Sequence, residues 1–337
     1  MIDAPADAGA EVLTWRPPRR EDLPAWLDMV RTTQRADGEH ELMGAEELAA
    51  SFDDTTWSPE TDARLVRTAA GELVGDAVVD TMGVGRDFIR VFCWGSVRPD
   101  RRGRGLGREL FGWQVRRGTQ RYAELDADVP GVLEAGCPVG HPAGRLFQRF
   151  GFAPARYWSH MSHDLAEPPT TQADGLLVSR YREELSERVR RAHNEAFADH
   201  WGSAERTPQA WREQIVGHPL FRPEVSFVVL DGVSRDPTVA AYLLSYEMEE
   251  AEPGAGRGGY IGQIGTRRSW RGRGLASALV GTALAAMKKA GYERAALTVD
   301  TENPTGAHGL YERLGFVTER QYVSYQRPIP PAGPVRP

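Results

Sequence analysis

Apolar positions along this chain recur at two spacings, and the spacings predict its elements. Leu185, Val189, Ala192, Ala196 and Phe197 fall at helical intervals. Thr207-Pro208 predicts an N-cap followed by proline in the first turn, opening a helix that carries Trp211 and Ile215. The β-branched and aromatic runs 225–230 and 239–246 read as antiparallel strands around Asp231-Gly232 and Asp236-Pro237. A further strand, 260–266, leads into a glycine-rich segment. Beyond it Leu275, Leu279, Val280, Leu284 and Met287 form one helical stripe that Gly291 ends. Residues 295–299 read as a strand, and Asn303-Pro304 as the start of a helix ending at Gly315. The upstream half repeats this scheme: a helix near 24–31, strands at 64–68, 73–80 and 88–97, then a glycine-rich segment and a helix.

The repetition extends to residue identity. Arg-Gly-Arg-Gly-Leu occurs at 102–106 and again at 271–275. Downstream, Leu146-Phe147-Gln148-Arg149-Phe150-Gly151-Phe152 matches Leu310-Tyr311-Glu312-Arg313-Leu314-Gly315-Phe316. Gly103 and Gly151 are 48 residues apart, Gly272 and Gly315 43. Two motifs in one order at nearly one spacing define a duplicated domain of roughly 165 residues, far longer than a solenoid module. The segment 166–174 is polar, proline-containing and aperiodic, as a linker reads. The expected domains are therefore 1–165 and 175–327, followed by a proline-rich flexible tail, 328–337.

Composition narrows the function. A net charge of −6 argues against a general nucleic-acid or anionic-membrane partner. The two cysteines, Cys93 and Cys137, make no disulfide framework, and no Cys/His spacing suits a metal, so none is expected. With neither a leader-like N-terminus nor a long apolar run, the expected location is the cytoplasm.

A strand running into a glycine turn and then a helix presents free N–H groups at the positive end of the helix dipole, which suits phosphate. The spacing is neither GxGxxG nor GxxxxGK[ST]. It is R-x-x-G-x-G/A: Arg271-x-x-Gly274-x-Ala276 and Arg102-x-x-Gly105-x-Gly107. The competing reading, a solvated basic turn of a nucleic-acid binder, lacks aromatic residues interleaved with its charges.

Preceded by a strand and followed by Leu-Tyr-x-x-x-Gly-Phe, this pattern resembles the GNAT superfamily of acetyl-CoA-dependent acyltransferases. The resemblance implies an α/β fold of two GNAT-type domains in tandem, each a mixed central sheet flanked by helices. It implies acetyl-CoA as co-substrate, with Ile264 and Thr266 pairing with its pantetheine arm through their backbone. Backbone N–H groups of Arg271, Gly272, Arg273, Gly274, Leu275, Ala276 and Ser277 would hold the pyrophosphate. Val97, Arg102, Gly103, Arg104, Gly105 and Gly107 would do the same in the first copy. Asn303 would contact the cofactor, or serve only to cap a helix before Pro304. Tyr311 would protonate the departing thiolate, and a phenol can donate to a thiolate; the alternative is a core aromatic beside Leu310 and Leu314.

The copies are unequal. Phe147 stands where Tyr311 stands and Val139 where Asn303 stands, so the first copy is expected to be non-catalytic. A tandem arrangement with an active second half resembles the mycothiol synthases, which acetylate a cysteinyl-aminosugar amine, and Asn194–His200 is similar to a segment of theirs. That family places a basic glutamate on the strand entering the glycine turn; here the position is Tyr260. Candidate bases are therefore Glu247, Glu249, Glu250 or His200, against the plainer reading of each as a surface charge. The expected function is acetyl transfer to the primary amine of a small molecule by direct attack, with the chain monomeric or homodimeric. The alternatives are an acetyl-CoA sensor without turnover, or acetylation of protein lysines or N-termini.

Overall fold

A computed structural model describes residues 12–39, 42–52, 57–84, 88–126, 128–169, 177–198, 203, 205–231, 237–248, 256–302 and 306–329. These residues divide into two compact units, the first built from the chain up to 82 and from 91 to 135, the second mainly from 136 to 327.

In the first unit, β1 (Leu13–Arg16) leads to α1 (Leu23–Ala36), which contains the helix expected near 24–31 and has Pro24 in its first turn, then to short α2 (Ala45–Ser51) and α3 (Pro59–Asp62). Strands β2 (Ala63–Thr68), β3 (Leu73–Val84) and β4 (Ile89–Val97) follow, then α4 (Leu106–Glu124) and β5 (Gly131–Pro138). The strands lie in the order β1-β2-β3-β4-β5. Alternation along them feeds two cores. Leu65, Leu73 and Val78 pack with Trp26, Met29 and Leu48, whereas Val66, Val74 and Ala77 pack with Leu106 and Leu110 of α4.

One carboxylate is enclosed within this unit. Asp76 is 1% exposed, accepting hydrogen bonds from Trp26 Nε1 at 3.1 Å and from the Ser96 amide at 2.7 Å. Loss of solvation outweighs these bonds and pushes its acid up to about 6. The folded protein thus binds this proton more tightly than the unfolded chain. Its contribution is fully present below the unfolded value near 4 and is lost as pH rises through about 6, a change of about 3 kcal/mol. Asp76→Asn should remove that fall in stability across pH 4–6. Urea unfolding at a series of pH values checks it, and a fall of the same size in the variant would locate the proton elsewhere.

The second unit comprises α5 (Ala143–Arg149), β6 (Ala153–His163), β7 (Leu177–Arg180), α6 (Ser186–Ala196), α7 (Pro208–Trp211), β8 (Phe227–Leu230) and β9 (Val239–Met248). After these come β10 (Gly258–Thr266), α8 (Leu275–Lys289), β11 (Arg294–Asp300), α9 (Ala307–Arg313) and β12 (Val317–Ile329). Thr207 caps α7 as predicted, accepting the Ala210 amide at 3.1 Å. Gly291 follows α8 at φ 83°. Helix α9 begins later than expected, at Ala307 after Gly306 (φ 68°); Asn303 and Pro304 lie outside the described residues.

The strand order is β12-β6-β11-β10-β9-β8-β7, antiparallel except for the parallel pair β10/β11. The compact units depart from the sequence copies here. Helix α5 and β6 belong by sequence to 1–165, yet β6 is hydrogen-bonded between β11 and β12, and pairing outweighs chain order. Strand β12 runs to Ile329, two residues into the expected tail. Most of the expected linker falls on 170–176, outside the described residues. Helices α8 and α9 cover one face, with Leu279, Leu284 and Tyr311 against Met161, Ile261, Leu297 and Val299. Helices α6 and α7 cover the other face over β8 and β9, with Val189 and Trp211 against Val228, Tyr242 and Leu244.

Candidate active site

Strand β10 holds the features that open a site. It pairs with β11 at Gly258↔Arg294, Gly259↔Ala295 and Tyr260↔Ala296. Beyond those pairs the two strands run on, to Thr266 and Asp300, with no further register between them. On its other side β10 stays paired to β9 through Ile264↔Leu243 and Thr266↔Ala241. The β10 edge carrying Ile264 and Thr266 is therefore unpaired toward β11 and can pair with an extended ligand. Parting coincides with a bulge at Gly262, between Ile261 and Gln263. A Cβ at Gly262 would stand 2.6 Å from the Tyr246 ring, so no side chain fits there.

At the end of β10 the chain enters the glycine turn. Gly272 and Gly274 sit at φ 77° and 72°, a region that disfavours side chains, and a Cβ on either would meet nothing within 4 Å. Gly274 caps α8 without any side-chain hydrogen bond. The amides of Leu275, Ala276 and Ser277 thus open the helix with no intrahelical partners, at the positive end of its dipole. The residues fit a pyrophosphate bound through the backbone.

Arg271 takes a different part from that of a phosphate-grasping side chain. Its guanidinium donates to Thr266 O at 3.3 Å and to Ala196 O at 2.9 Å, fastening the turn to the end of β10 and to α6. Arg267 ties the same helix end through Glu195 at 2.6 Å. Helix α6 is held in turn by a buried hydrogen bond of 2.6 Å between His193 Nδ1 and the Tyr242 hydroxyl. Asn194 pins the following segment, accepting the Arg206 amide at 2.9 Å and donating to its carbonyl at 3.1 Å. Arg273 is exposed and lies over the Trp270 ring at 4.6 Å. The first unit repeats the turn: Gly103 and Gly105 have φ 77° and 95°, and Arg102 donates to Val97 O at 3.0 Å and to Asp37 at 2.6 Å. Arg104 is exposed, and Gly107 lies in the first turn of α4.

Tyr311 projects from α9 into the core and is 5% exposed, edge-on to Phe316 at 5.8 Å. Among the described residues its hydroxyl makes no hydrogen bond. Burial, with Tyr260 as a lesser contributor, pushes the phenol well above the usual tyrosine range, so it keeps its proton at neutral pH. Phe147 on α5 is the counterpart, 8% exposed and packed on Phe152 at 6.4 Å and on Tyr325 at 5.6 Å.

The bases proposed from sequence fare differently. Glu247 accepts hydrogen bonds from Arg257 at 2.8 Å, from Arg222 at 2.7 Å and from the Tyr292 hydroxyl at 3.2 Å. The guanidiniums hold its carboxyl at about 2, too weak a base to take a proton from an ammonium, and the candidacy of Glu247 is withdrawn. Glu249, Glu250, His200 and the cofactor candidate Asn303 lie outside the described residues. Those residues contain no group of three or more His, Cys, Asp or Glu side chains that could hold a metal ion. No described helix is long and apolar enough to cross a membrane.

Residues 186–316 match the acetyltransferase (GNAT) family. A mycothiol acetyltransferase of Salinispora tropica is 31% identical over 278 residues, covering 77% of this chain and 80% of that protein. The chain belongs to the GNAT acetyltransferase family. A GCN5-related N-acetyltransferase from Sphaerobacter thermophilus superposes with a TM-score of 0.75 at 26% identity, covering 95% of this chain and 96% of that one. A tandem GNAT protein from the clavulanic acid biosynthesis pathway shares the fold at TM-score 0.67 and 17% identity, over 95% of this chain and all of that one. This acetyltransferase is thus an α/β enzyme of two GNAT-type domains in tandem, and its family draws acetyl groups from acetyl-CoA.

Proposed function

We propose that the second glycine turn and the parted strands of the second unit bind acetyl-CoA, and that the acetyl group passes to the primary amine of a small molecule. Bound there, acetyl-CoA supplies an activated acyl carbon. The amides opening α8 hold its phosphates, the free edge of β10 orients its arm, and Tyr311 holds the proton needed at the departing sulfur. One observation carries the reading. Of two equivalent ring positions, the first is a phenylalanine, whereas the second is a tyrosine whose hydroxyl makes no hydrogen bond to a described residue.

The likeness to mycothiol acetyltransferases makes a cysteinyl aminosugar the first acceptor to try, and Tyr260 in place of their glutamate is the reason to try others. A panel of that compound, free aminosugars, amino acids and peptides with free N-termini should give CoA release with a small amine. Turnover of peptides alone would replace the reading with protein acetylation. Gly105→Glu, which places a carboxylate at the first turn, should leave most of this turnover intact. A folded Gly105→Glu protein without activity would make the first unit a working part of the enzyme.

A further inference from the structure

With Glu247 neutralised by two arginines, acetyl transfer still requires a group that removes a proton from the acceptor ammonium, which has no lone pair while protonated. We propose that Glu319 is that group, held in place by Ser162 beside His160, and that an amine bound beside β6 and β11 gives up its proton there. The inference rests on the reading of the second unit as the transferring one.

The register puts these residues on one face of the sheet, on the strands next to the gap and beyond it. Tyr260 pairs with Ala296, and Ala296 with Ser162; one step further along, Thr298 pairs with His160, and His160 with Arg320. Met161, Leu297 and Val299 turn toward α8, so their neighbours Ser162, His160 and Thr298 turn away from it. A Cβ on Gly259 would meet Met287 of α8 at 2.8 Å, which sets Tyr260 on that same side. The row of Thr298 and His160 lies just past Tyr260↔Ala296, the last pair before β10 and β11 part.

Strand β12 carries the carboxylate to this face. A register shift between Thr318 and Arg320 leaves Glu319 at a bulge, which re-aims its side chain. The Ser162 hydroxyl donates to Glu319 Oε1, and His160 Nε2 lies 4.0 Å from Oε2. His160 Nδ1 is 3.3 Å from Thr298 Oγ1 on β11. The chain of contacts runs from β12 across β6 to the edge of the gap. The Glu319 side chain is 24% exposed and meets solvent, unlike the enclosed Asp300 beyond it, which lies 3.9 Å from Arg156. The charged groups around it are His160, Arg320, and one row further Asp300 and Arg156.

The step balances without another reactant. An N–H bond of the ammonium breaks and its proton goes to Glu319. The freed nitrogen pair forms the amide C–N bond, the C–S bond breaks with its pair going to sulfur, Tyr311 supplies the sulfur with a proton, and the second proton that the acylated nitrogen must lose passes through water to the Tyr311 phenolate. Glu319 then releases its proton to water.

Two acceptors separate a base from a structural carboxylate: the fastest protonated amine of the panel, and hydroxylamine, which is unprotonated at neutral pH. With the protonated amine, Glu319→Gln should lower kcat/KM at pH 7 by roughly 10²–10⁴-fold, the loss shrinking as pH rises. With hydroxylamine, wild type and variant should run alike. In calorimetry with CoA present, the protonated amine should bind the variant more weakly, while affinity for CoA itself stays unchanged. Ser162→Ala, which keeps the carboxylate and removes its donor, should lower kcat/KM for the protonated amine and leave hydroxylamine turnover unchanged. Equal losses with both acceptors, or no loss with the protonated amine, would overturn the assignment, and Glu319→Asp serves the same comparison if Glu319→Gln does not fold. Wild type that acetylates hydroxylamine but no protonated amine would also overturn it. Wild type that acetylates neither would sink the acetyl-transfer reading itself.

Discussion

Gly274→Glu should abolish acetyl-CoA binding without unfolding the protein. Gly274 stands at φ 72° as the cap of α8, and a Cβ there would enter open space. The fold therefore charges the substitution only for the left-handed backbone, about 1–2 kcal/mol. A carboxylate at a helix N-terminus is otherwise favourable and offsets part of that. The same carboxylate would occupy the space in front of the Leu275, Ala276 and Ser277 amides and repel a phosphate. Losing two charge-assisted hydrogen bonds, at about 1.5–3 kcal/mol each, weakens binding by a hundredfold or more. Gly274→Ala carries the backbone strain without the charge and should bind far better than the glutamate variant. Calorimetry on both, with circular dichroism as the check on folding, decides the matter. Unchanged affinity in folded Gly274→Glu would move the cofactor away from this turn.

The parts of the fold that sequence revealed were those fixed by local chemistry. Thr207-Pro208 and Gly291 mark helix ends by capping and by φ, and the structure has both ends there. The paired glycines of each turn announced an anion site because only glycine tolerates their conformation. What local pattern could not supply was partnership between strands. Ser159, Met161 and His163 alternate inward on β6, which says strand, but nothing nearby says that its neighbours are β11 and β12. The same blindness governed the choice of base. Glu247 was attractive for its place at a strand end, and the arginines that quench it stand 10 and 25 residues away in the chain. Glu319 gave no signal, because its significance comes from Ser162 and His160, more than 150 residues upstream.

Tyr311→Phe should cost turnover and little else. The change removes one oxygen and keeps the ring, so the edge-on contact with Phe316 at 5.8 Å and the packing with Leu314 persist. Since no described residue hydrogen-bonds the hydroxyl, its loss leaves no orphaned donor or acceptor among them, and the melting temperature should hold or rise slightly. Tyr242→Phe is the contrasting case. Its hydroxyl is bonded at 2.6 Å to buried His193, and removing it should destabilise the fold by about 1–3 kcal/mol. For Tyr311→Phe, acetyl-CoA affinity should be retained, because the ring is not among the groups assigned to hold the cofactor. What should fall is kcat, by roughly 10²–10⁴-fold, the scale of a positioned general acid. The pH profile provides a second reading. Burial keeps this phenol protonated beyond the usual tyrosine range, so wild-type activity should not decline through neutral pH on its account. A merely structural tyrosine would give the opposite pattern, a lower melting temperature with turnover per folded molecule preserved. Measuring kcat, the acetyl-CoA Kd and the Tm on one preparation separates the two. Full kcat in a folded Tyr311→Phe protein would assign the proton at sulfur to water or to another residue, and leave the buried phenol as part of the core shared by α8 and α9.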